Sequence, residues 1–292
     1  MTAPTVNRPA DAGETLLTVE KLTLRFGGLT SLNEVDLTLR QGEILAVIGP
    51  NGAGKTSLFN CLTGVYVPQE GAIGFVKADG STVQLVSGPA RRRRSPKPHA
   101  VNKAGIARTF QNIRLFPALS AFENVKIAAE TRQHTGPVGA MLGLPNARRN
   151  EKTSDAHTEE LLRFVGLEAV ENELASSLSY GVQRRLEIAR ALATGPRLLL
   201  LDEPAAGTNP TEKHELEQLI RRINAELGVT VLLIEHDMKL VMSVADRVTV
   251  LNFGKVIAEG SPEVVQRDPA VIEAYLGSAE EDTGGADEEP QP

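Results

Sequence analysis

The sequence predicts an α/β fold built on a parallel central sheet, and three observations predict it. Short, largely apolar runs at 44–48, 198–201 and 229–235 have the length and continuity of strands buried on both faces. The segment 210–227 has helical period, with Leu216, Leu219, Ile220, Ile223 and Leu227 on one face. The first apolar run enters a Gly-rich turn and then another helical segment. Strands that alternate with helices imply parallel pairing.

Taken in order, residues 1–14 are polar, contain Pro4 and Pro9, and read as a disordered tail without the apolar core of a secretory signal. Residues 16–26 and 31–40 alternate apolar and polar around Gly27-Gly28, which predicts an antiparallel hairpin. The run 43–48 is a buried strand. After the Gly-rich turn comes a helix carrying Leu58, Cys61 and Leu62 on one face, with Gly64 as its stop. Residues 87–103, with four arginines at 91–94 and then Ser95-Pro96-Lys97-Pro98, read as a solvated insertion. Residues 112–194 read mostly as helices, with a mobile stretch at 136–150. Asn209 is placed to cap the helix at 210, with Pro210 next and Glu212 three residues on. A late hairpin is expected at 248–252 and 255–259. Ser261-Pro262 and Asp268-Pro269 look like helix starts, and Gly277 like the end of the second. Residues 278–292 hold six acidic residues and no basic one, so they read as a disordered acidic tail.

Composition narrows the function. The 292 residues are 41% apolar and 23% charged, which excludes a wholly disordered chain. A net charge of −6 and the absence of Trp argue against a protein that coats nucleic acid. The single cysteine, Cys61, rules out an internal disulfide framework and reads as core packing.

The chemistry begins at Gly49-Pro50-Asn51-Gly52-Ala53-Gly54-Lys55-Thr56, which matches the phosphate-binding P-loop and lies between a strand and a helix, as that motif requires. Its glycines let backbone N–H groups wrap a phosphate, and the helix N-terminus adds a favourable dipole. Lys55 supplies a point charge for the β- and γ-phosphates, the Thr56 hydroxyl can ligate Mg²⁺, and Ser57 can donate toward the α-phosphate. Four leucines then lead to Asp202-Glu203. Asp202 can hold Mg²⁺ through water, and Glu203 can polarise an attacking water, the general-base task of phosphoryl transfer.

The segment Leu178-Ser179-Tyr180-Gly181-Val182-Gln183-Arg184-Arg185-Leu186-Glu187, just before the Asp202 strand, resembles the signature segment of ABC transporter ATPases. Gln111, in Arg108-Thr109-Phe110-Gln111, resembles that family's Q-loop glutamine, and His236 its switch histidine. Phe26 resembles the aromatic that stacks on adenine, although alone it also fits a core strand residue. Asn209 stands where an aspartate is usual and Val182 where a glutamine is usual. Asn209 is similar to one branch, the ATPase subunits of branched-chain amino-acid importers. So are Arg25-Phe26-Gly27-Gly28-Leu29, Phe59-Asn60-Cys61-Leu62-Thr63-Gly64, the stretch from Arg108 to Phe116 and Ala274-Tyr275-Leu276-Gly277. The match is closest to the larger ATP-binding protein of such importers, and the insertion around 91–98 has no counterpart in it.

The resemblance implies a P-loop NTPase of ABC type over 15–277, with a parallel core sheet, an added antiparallel β subdomain and a helical subdomain at about 112–180. It implies Mg²⁺-dependent ATP hydrolysis, with Glu203, His236 and Gln111 as catalytic groups and Thr56, Gln111 and Asp202 around the metal. Ser179 and Gly181 would serve a nucleotide bound by a second ATPase subunit. The implied partners are that subunit, two membrane permeases and an extracytoplasmic solute-binding protein, with the chain peripheral at the cytoplasmic face of the membrane. The implied cargo is leucine, isoleucine or valine. Another amino acid, an amide or urea is the alternative, and a non-transport ABC ATPase a more distant one.

Overall fold

A computed structural model describes residues 13–86, 96–131 and 145–283. The expectations for 1–12, for 91–94 and Ser95, for 136–144 and for 284–292 lie outside the described residues.

Two sheets form the frame. Strands β1 (Thr15–Phe26), β2 (Leu29–Arg40), β4 (Glu70–Val76) and β5 (Thr82–Val86) make an antiparallel sheet ordered β2-β1-β4-β5. The predicted hairpin is its first half, pairing Phe26 with Leu29 across Gly27-Gly28. The second sheet runs β10-β9-β3-β8-β7-β6, with β3 (Ile44–Ile48), β6 (Ile106–Arg108), β7 (Leu198–Asp202), β8 (Thr230–Ile234), β9 (Arg247–Asn252) and β10 (Lys255–Gly260). Its pairs are parallel except β9 with β10. All residues of β3, β7 and β8 are buried, as unbroken apolar runs covered on both faces require.

Register lines up the carboxyl ends of these strands. Asp202 pairs with Ile234, Val47 with Ile234, Ile48 with Val250 and Arg108 with Leu200. Four loops therefore leave the sheet together, after β3, β6, β7 and β8, at the edge where open α/β sheets bind ligands.

The helices are α1 (Lys55–Leu62), α2 (Pro98–Ala104), α3 (Ala121–Glu130), α4 (Pro145–Phe164), α5 (Tyr180–Ala193), α6 (Pro210–Leu227), α7 (Met238–Val244), α8 (Pro262–Val265) and α9 (Pro269–Thr283). Helix α1 buries Leu58, Phe59, Cys61 and Leu62 between the two sheets and ends before Gly64, whose φ of 73° is the left-handed turn expected there. A second core joins α3, α4, α5 and α6 to the parallel sheet through Val125, Leu162, Leu186, Ile188 and Ile220. A third seats α9 against β3 and β9 through Val271 and Tyr275.

Several expectations are corrected. The solvated insertion ends early, because Pro98–Ala104 is helical and buries Val101. Proline at the first helical position and Gly105 in the left-handed C-terminal position bracket this short helix. Residues 145–150, read as mobile, open α4. Leu227 is 43% exposed, since it lies past the last turn of α6 that reaches the sheet. Helix α9 passes through Gly277 to Thr283, where a stop and a tail were expected. One glycine inside a helix costs only about 1 kcal/mol, and Ala279, Glu280 and Glu281 favour continuation.

Candidate active site

The phosphate loop is shaped by three glycines with positive φ: Gly49 at 148°, Gly52 at 77° and Gly54 at 104°. A Cβ on Gly49 would lie 2.0 Å from the Leu251 carbonyl oxygen, and one on Gly54 2.6 Å from that of Ser31. Gly52 has open space where its Cβ would be, so the rim of the loop can take a ligand. Pro50 accepts from the Ala53 N–H at 3.2 Å, and the Ala53 carbonyl accepts from the Gly254 N–H at 3.0 Å. Asn51 stands exposed between them. Lys55 Nζ donates to the carbonyls of Gly49 at 2.6 Å and Pro50 at 3.0 Å, which holds the ammonium inside the loop. Burial holds its pKa below the usual lysine value, while Glu203 and then Asp202 pull the other way. Thr56 is exposed at the start of α1, and the Ser57 hydroxyl accepts from Ser31 Oγ at 2.7 Å. Phe26 is 45% exposed at the end of β1 and meets Tyr66 edge-on, with ring centroids 5.1 Å apart. An aromatic face braced in this way can stack on a base.

The other loops bring the acids and amides together. Asp202 closes β7, 3% exposed. Glu203 adopts φ 45°, a left-handed conformation unusual for a side-chain-bearing residue, and its N–H is fixed by the Ile234 carbonyl at 2.9 Å. This turns its carboxylate toward Gln111, whose Nε2 donates to Glu203 Oε2 at 2.9 Å. His236 is exposed, with Nδ1 4.0 Å from Glu203 Oε2 and 3.8 Å from Glu235 Oε2. Gln111, Glu203 and His236 are therefore one cluster drawn from three loops. The Thr56 hydroxyl and the Asp202 carboxylate are hard oxygen donors of the kind Mg²⁺ prefers. The Gln111 amide is engaged with Glu203.

Ser179 caps α5 in extended conformation and makes no side-chain bond to the helix, so the first N–H groups of α5 have no acceptor within it. Gly181 is buried, and a Cβ there would meet Glu212 Oε1 at 2.4 Å. Its lack of a side chain thus serves packing against α6 of the same chain. Asn209 caps α6, accepting from the N–H groups of Thr211 and Glu212, while Glu212 accepts from the Asn209 N–H: the reciprocal box its spacing predicts. Cys61 is fully buried, and burial pushes its thiol up to about 12.

Sequence reasoning assigned no role to the residues that hold these groups. Glu235, fully buried, accepts from the Ala205 N–H at 2.8 Å and from the N–H groups of His236 at 3.0 Å and Asp237 at 3.3 Å. It thereby ties the loop after Glu203 to the loop carrying His236. Arg184 and Glu187, 1% and 2% exposed, pair at 3.0 Å within α5. Arg184 donates to the carbonyls of Phe110 and Gln111, and Glu187 accepts from the N–H groups of Phe110 and Arg114. The helix that begins at Ser179 therefore grips the backbone around Gln111. Arg108 donates to Asp202 Oδ2 at 2.7 Å. The only signal for these residues was charge at positions where the apolar pattern calls for burial.

A phosphate loop, a buried acid at a strand end, a second carboxylate beside it and a helix offering its N-terminus are the features of a P-loop nucleotide-binding cassette. The chain belongs to the ABC transporter family, which it matches over residues 32–206. Residues 255–281 match a second family, described as branched-chain amino acid ATP-binding cassette transporter. The chain is 45% identical over 264 residues to the high-affinity branched-chain amino acid transport ATP-binding protein BraF of Pseudomonas aeruginosa, covering 90% of this chain and 98% of that one. It is 44% identical to LivG of Escherichia coli, with the same coverage. Among solved structures it resembles the ADP conformation of MJ1267, an ATP-binding cassette of an ABC transporter, with a TM-score of 0.74 and 28% identity over 90% of this chain and 99% of that one.

Proposed function

We propose that this chain is the ATPase subunit of an importer for leucine, isoleucine and valine. Similarity to BraF and LivG over almost their whole length supports that cargo. In this reading the chain sits at the cytoplasmic face of the membrane against two permeases, which a solute-binding protein on the other side supplies. Among the described residues no helix is long and apolar enough to cross a membrane.

One observation carries the catalytic assignment: Glu203 lies within reach of both Gln111 and His236 while its backbone is held by β8. Lys55 and the backbone N–H groups of the loop from Asn51 to Ser57 hold the ATP phosphates, Gly49 and Pro50 shape the loop's entry, and Phe26 stacks on the adenine. Glu203 takes a proton from the attacking water, with Gln111 and His236 orienting its carboxylate. Thr56, Gln111 and Asp202, the last through water, would hold Mg²⁺, which would supply positive charge against the phosphates. Ser179 and Gly181 present the α5 N-terminus to ATP on a second ATPase subunit, a different chain or another copy.

Glu203→Gln should keep ATP affinity and lose turnover by about 10²–10⁴-fold, the range for a general base. Isothermal titration beside phosphate release measures both, and near-normal turnover removes Glu203 from the role. ATPase rate per chain over a dilution series tests the shared site. A full rate where the chain is monomeric refutes it. Uptake of labelled leucine by vesicles holding this chain with its permeases and binding protein tests the cargo.

A further inference from the structure

Arg108 has no part in the scheme above, yet its surroundings are built. Its side chain is 8% exposed. Nη2 donates to Asp202 Oδ2 at 2.7 Å, and Nη1 donates to Asn60 Oδ1 at 2.7 Å and Thr63 Oγ1 at 3.2 Å. The rings of Phe59 and Phe110 lie 5.5 and 5.3 Å from its central carbon. One planar cation thus joins β6, the acid at the end of β7 and the end of the P-loop helix α1. Among the described residues no other donor reaches the Asp202 carboxylate. Lysine cannot copy the arrangement, because only the guanidinium fork can address Asp202 and Asn60 together.

A carboxylate buried beside a Mg²⁺ site has two choices. It can bind the ion directly, or it can accept from a water that the ion keeps. Mg²⁺ sheds water reluctantly and demands near-ideal geometry, so fixed outer acceptors suit it. We propose that Arg108 is a positioning residue for the metal: it occupies one oxygen of Asp202 and offsets its charge, so that Asp202 accepts from a Mg²⁺-bound water and stays in register with the P-loop helix. This rests on the reading of Asp202 as a metal-side group.

The charge and the geometry act in opposite directions, which gives the test a signature that general loosening lacks. In Arg108→Met the offsetting cation is gone, so Asp202 attracts the ion more strongly but from an uncontrolled position. The Mg²⁺ concentration that half-saturates the metal-dependent gain in ATP affinity should fall about three- to tenfold, the effect of one nearby charge in a partly wet site. Turnover should fall about 10- to 100-fold, the cost of a misplaced group near the chemistry. ATP affinity in chelator should stay within about twofold of wild type, since Arg108 touches no phosphate-binding atom. Arg108→Lys keeps the charge and should keep the Mg²⁺ midpoint, with turnover between the two. Both quantities are read on the full chain, the midpoint by isothermal titration of ATP at graded Mg²⁺. If Arg108→Met does not fold, Arg108→Gln, which retains a donor without the charge, serves in its place. A Mg²⁺ midpoint unchanged or raised in the uncharged variant overturns the proposal. Asp202→Asn separates the two levels. If the metal-dependent gain survives there, the metal reading of Asp202 fails and takes this proposal with it. If the gain is lost there while the uncharged Arg108 variant is unmoved, only the role of Arg108 fails.

Discussion

Replacing Arg184 with methionine should destabilise the fold and disable a loop that Arg184 touches only through its backbone. The guanidinium donates to Phe110 O at 2.7 Å, Gln111 O at 2.9 Å, Glu187 Oε2 at 3.0 Å and Tyr180 Oη at 3.2 Å. Arg184 and Glu187 are both almost fully buried. Removing one partner of such a pair costs about 3–5 kcal/mol, because the other charge is left without compensation. In a domain of this size each kcal/mol moves the melting temperature by about 2–4 °C, so a fall of about 6–20 °C is expected. Burial already holds the Glu187 pKa above the usual carboxylate value, with Arg184 the main opposing influence. Without Arg184 it rises further. An acid whose folded-state pKa is raised stabilises the fold below its unfolded value and loses that contribution as pH rises through the folded value. The deficit of Arg184→Met should therefore be largest at neutral pH and shrink as pH falls toward the carboxylate range. Adding Glu187→Leu removes the stranded charge and should recover part of the loss; the residual cost is about 1–3 kcal/mol for each of the Phe110 and Gln111 carbonyls and the Phe110 and Arg114 N–H groups that water does not reach. Differential scanning calorimetry at two pH values, with ATPase assays below the transition, reads all of this. A single variant within about 1 kcal/mol of wild type, or a double variant no better than the single, would refute the reasoning.

Other consequences follow from the same geometry. Gly49→Ala places a Cβ 2.0 Å from the Leu251 carbonyl at a φ of 148°, so it should cost at least about 3 kcal/mol or abolish ATP binding; normal melting and normal titration would contradict this. Phe26→Ala should leave the fold intact, since the ring is half exposed, and weaken ATP and GTP alike by about 1–3 kcal/mol, which nucleotide titration measures. Cys61, pushed to about 12 by burial, is almost wholly a thiol at pH 8. Iodoacetamide should therefore label it no faster than the chain unfolds, and rapid labelling of folded protein would show that the site is open.

The parts legible in the sequence are those whose signal is local. Strand β7 is a run of leucines ended by an acid, and α6 carries its cap, its proline and its apolar stripe within one stretch. Strand β6 was not legible, because three residues are too few to show a period and its place beside β7 is set by pairing alone. The β4–β5 hairpin was missed for a related reason. Gly71 and Gly74 dilute its apolar alternation, which masks the hairpin signal that Asp79-Gly80 does carry in the turn at 77–81. Arg108 opens the phrase that carries Gln111, yet nothing in that phrase gives the arginine a role, and what fixes its meaning is an aspartate 94 positions later.

The site divides its labour between exposed and buried residues, and this division explains which half the motifs revealed. Gln111 and His236 are exposed, as the proposed scheme requires of groups that act on a phosphate. Each is an ordinary polar residue on a loop, with no means of its own to hold position. The holding is done by charges withdrawn into the protein: Arg184 and Glu187 behind Gln111, and Glu235 behind His236 and the loop that follows Glu203. A buried charge is costly unless it is paired and hydrogen-bonded, so these anchors tolerate little displacement. Arg184 lies on the helix that Ser179 caps, only five residues on. In the proposed scheme, a movement of that helix end must therefore carry the Gln111 loop with it or break the four hydrogen bonds that Arg184 and Glu187 make to the loop backbone, and the first is the cheaper path.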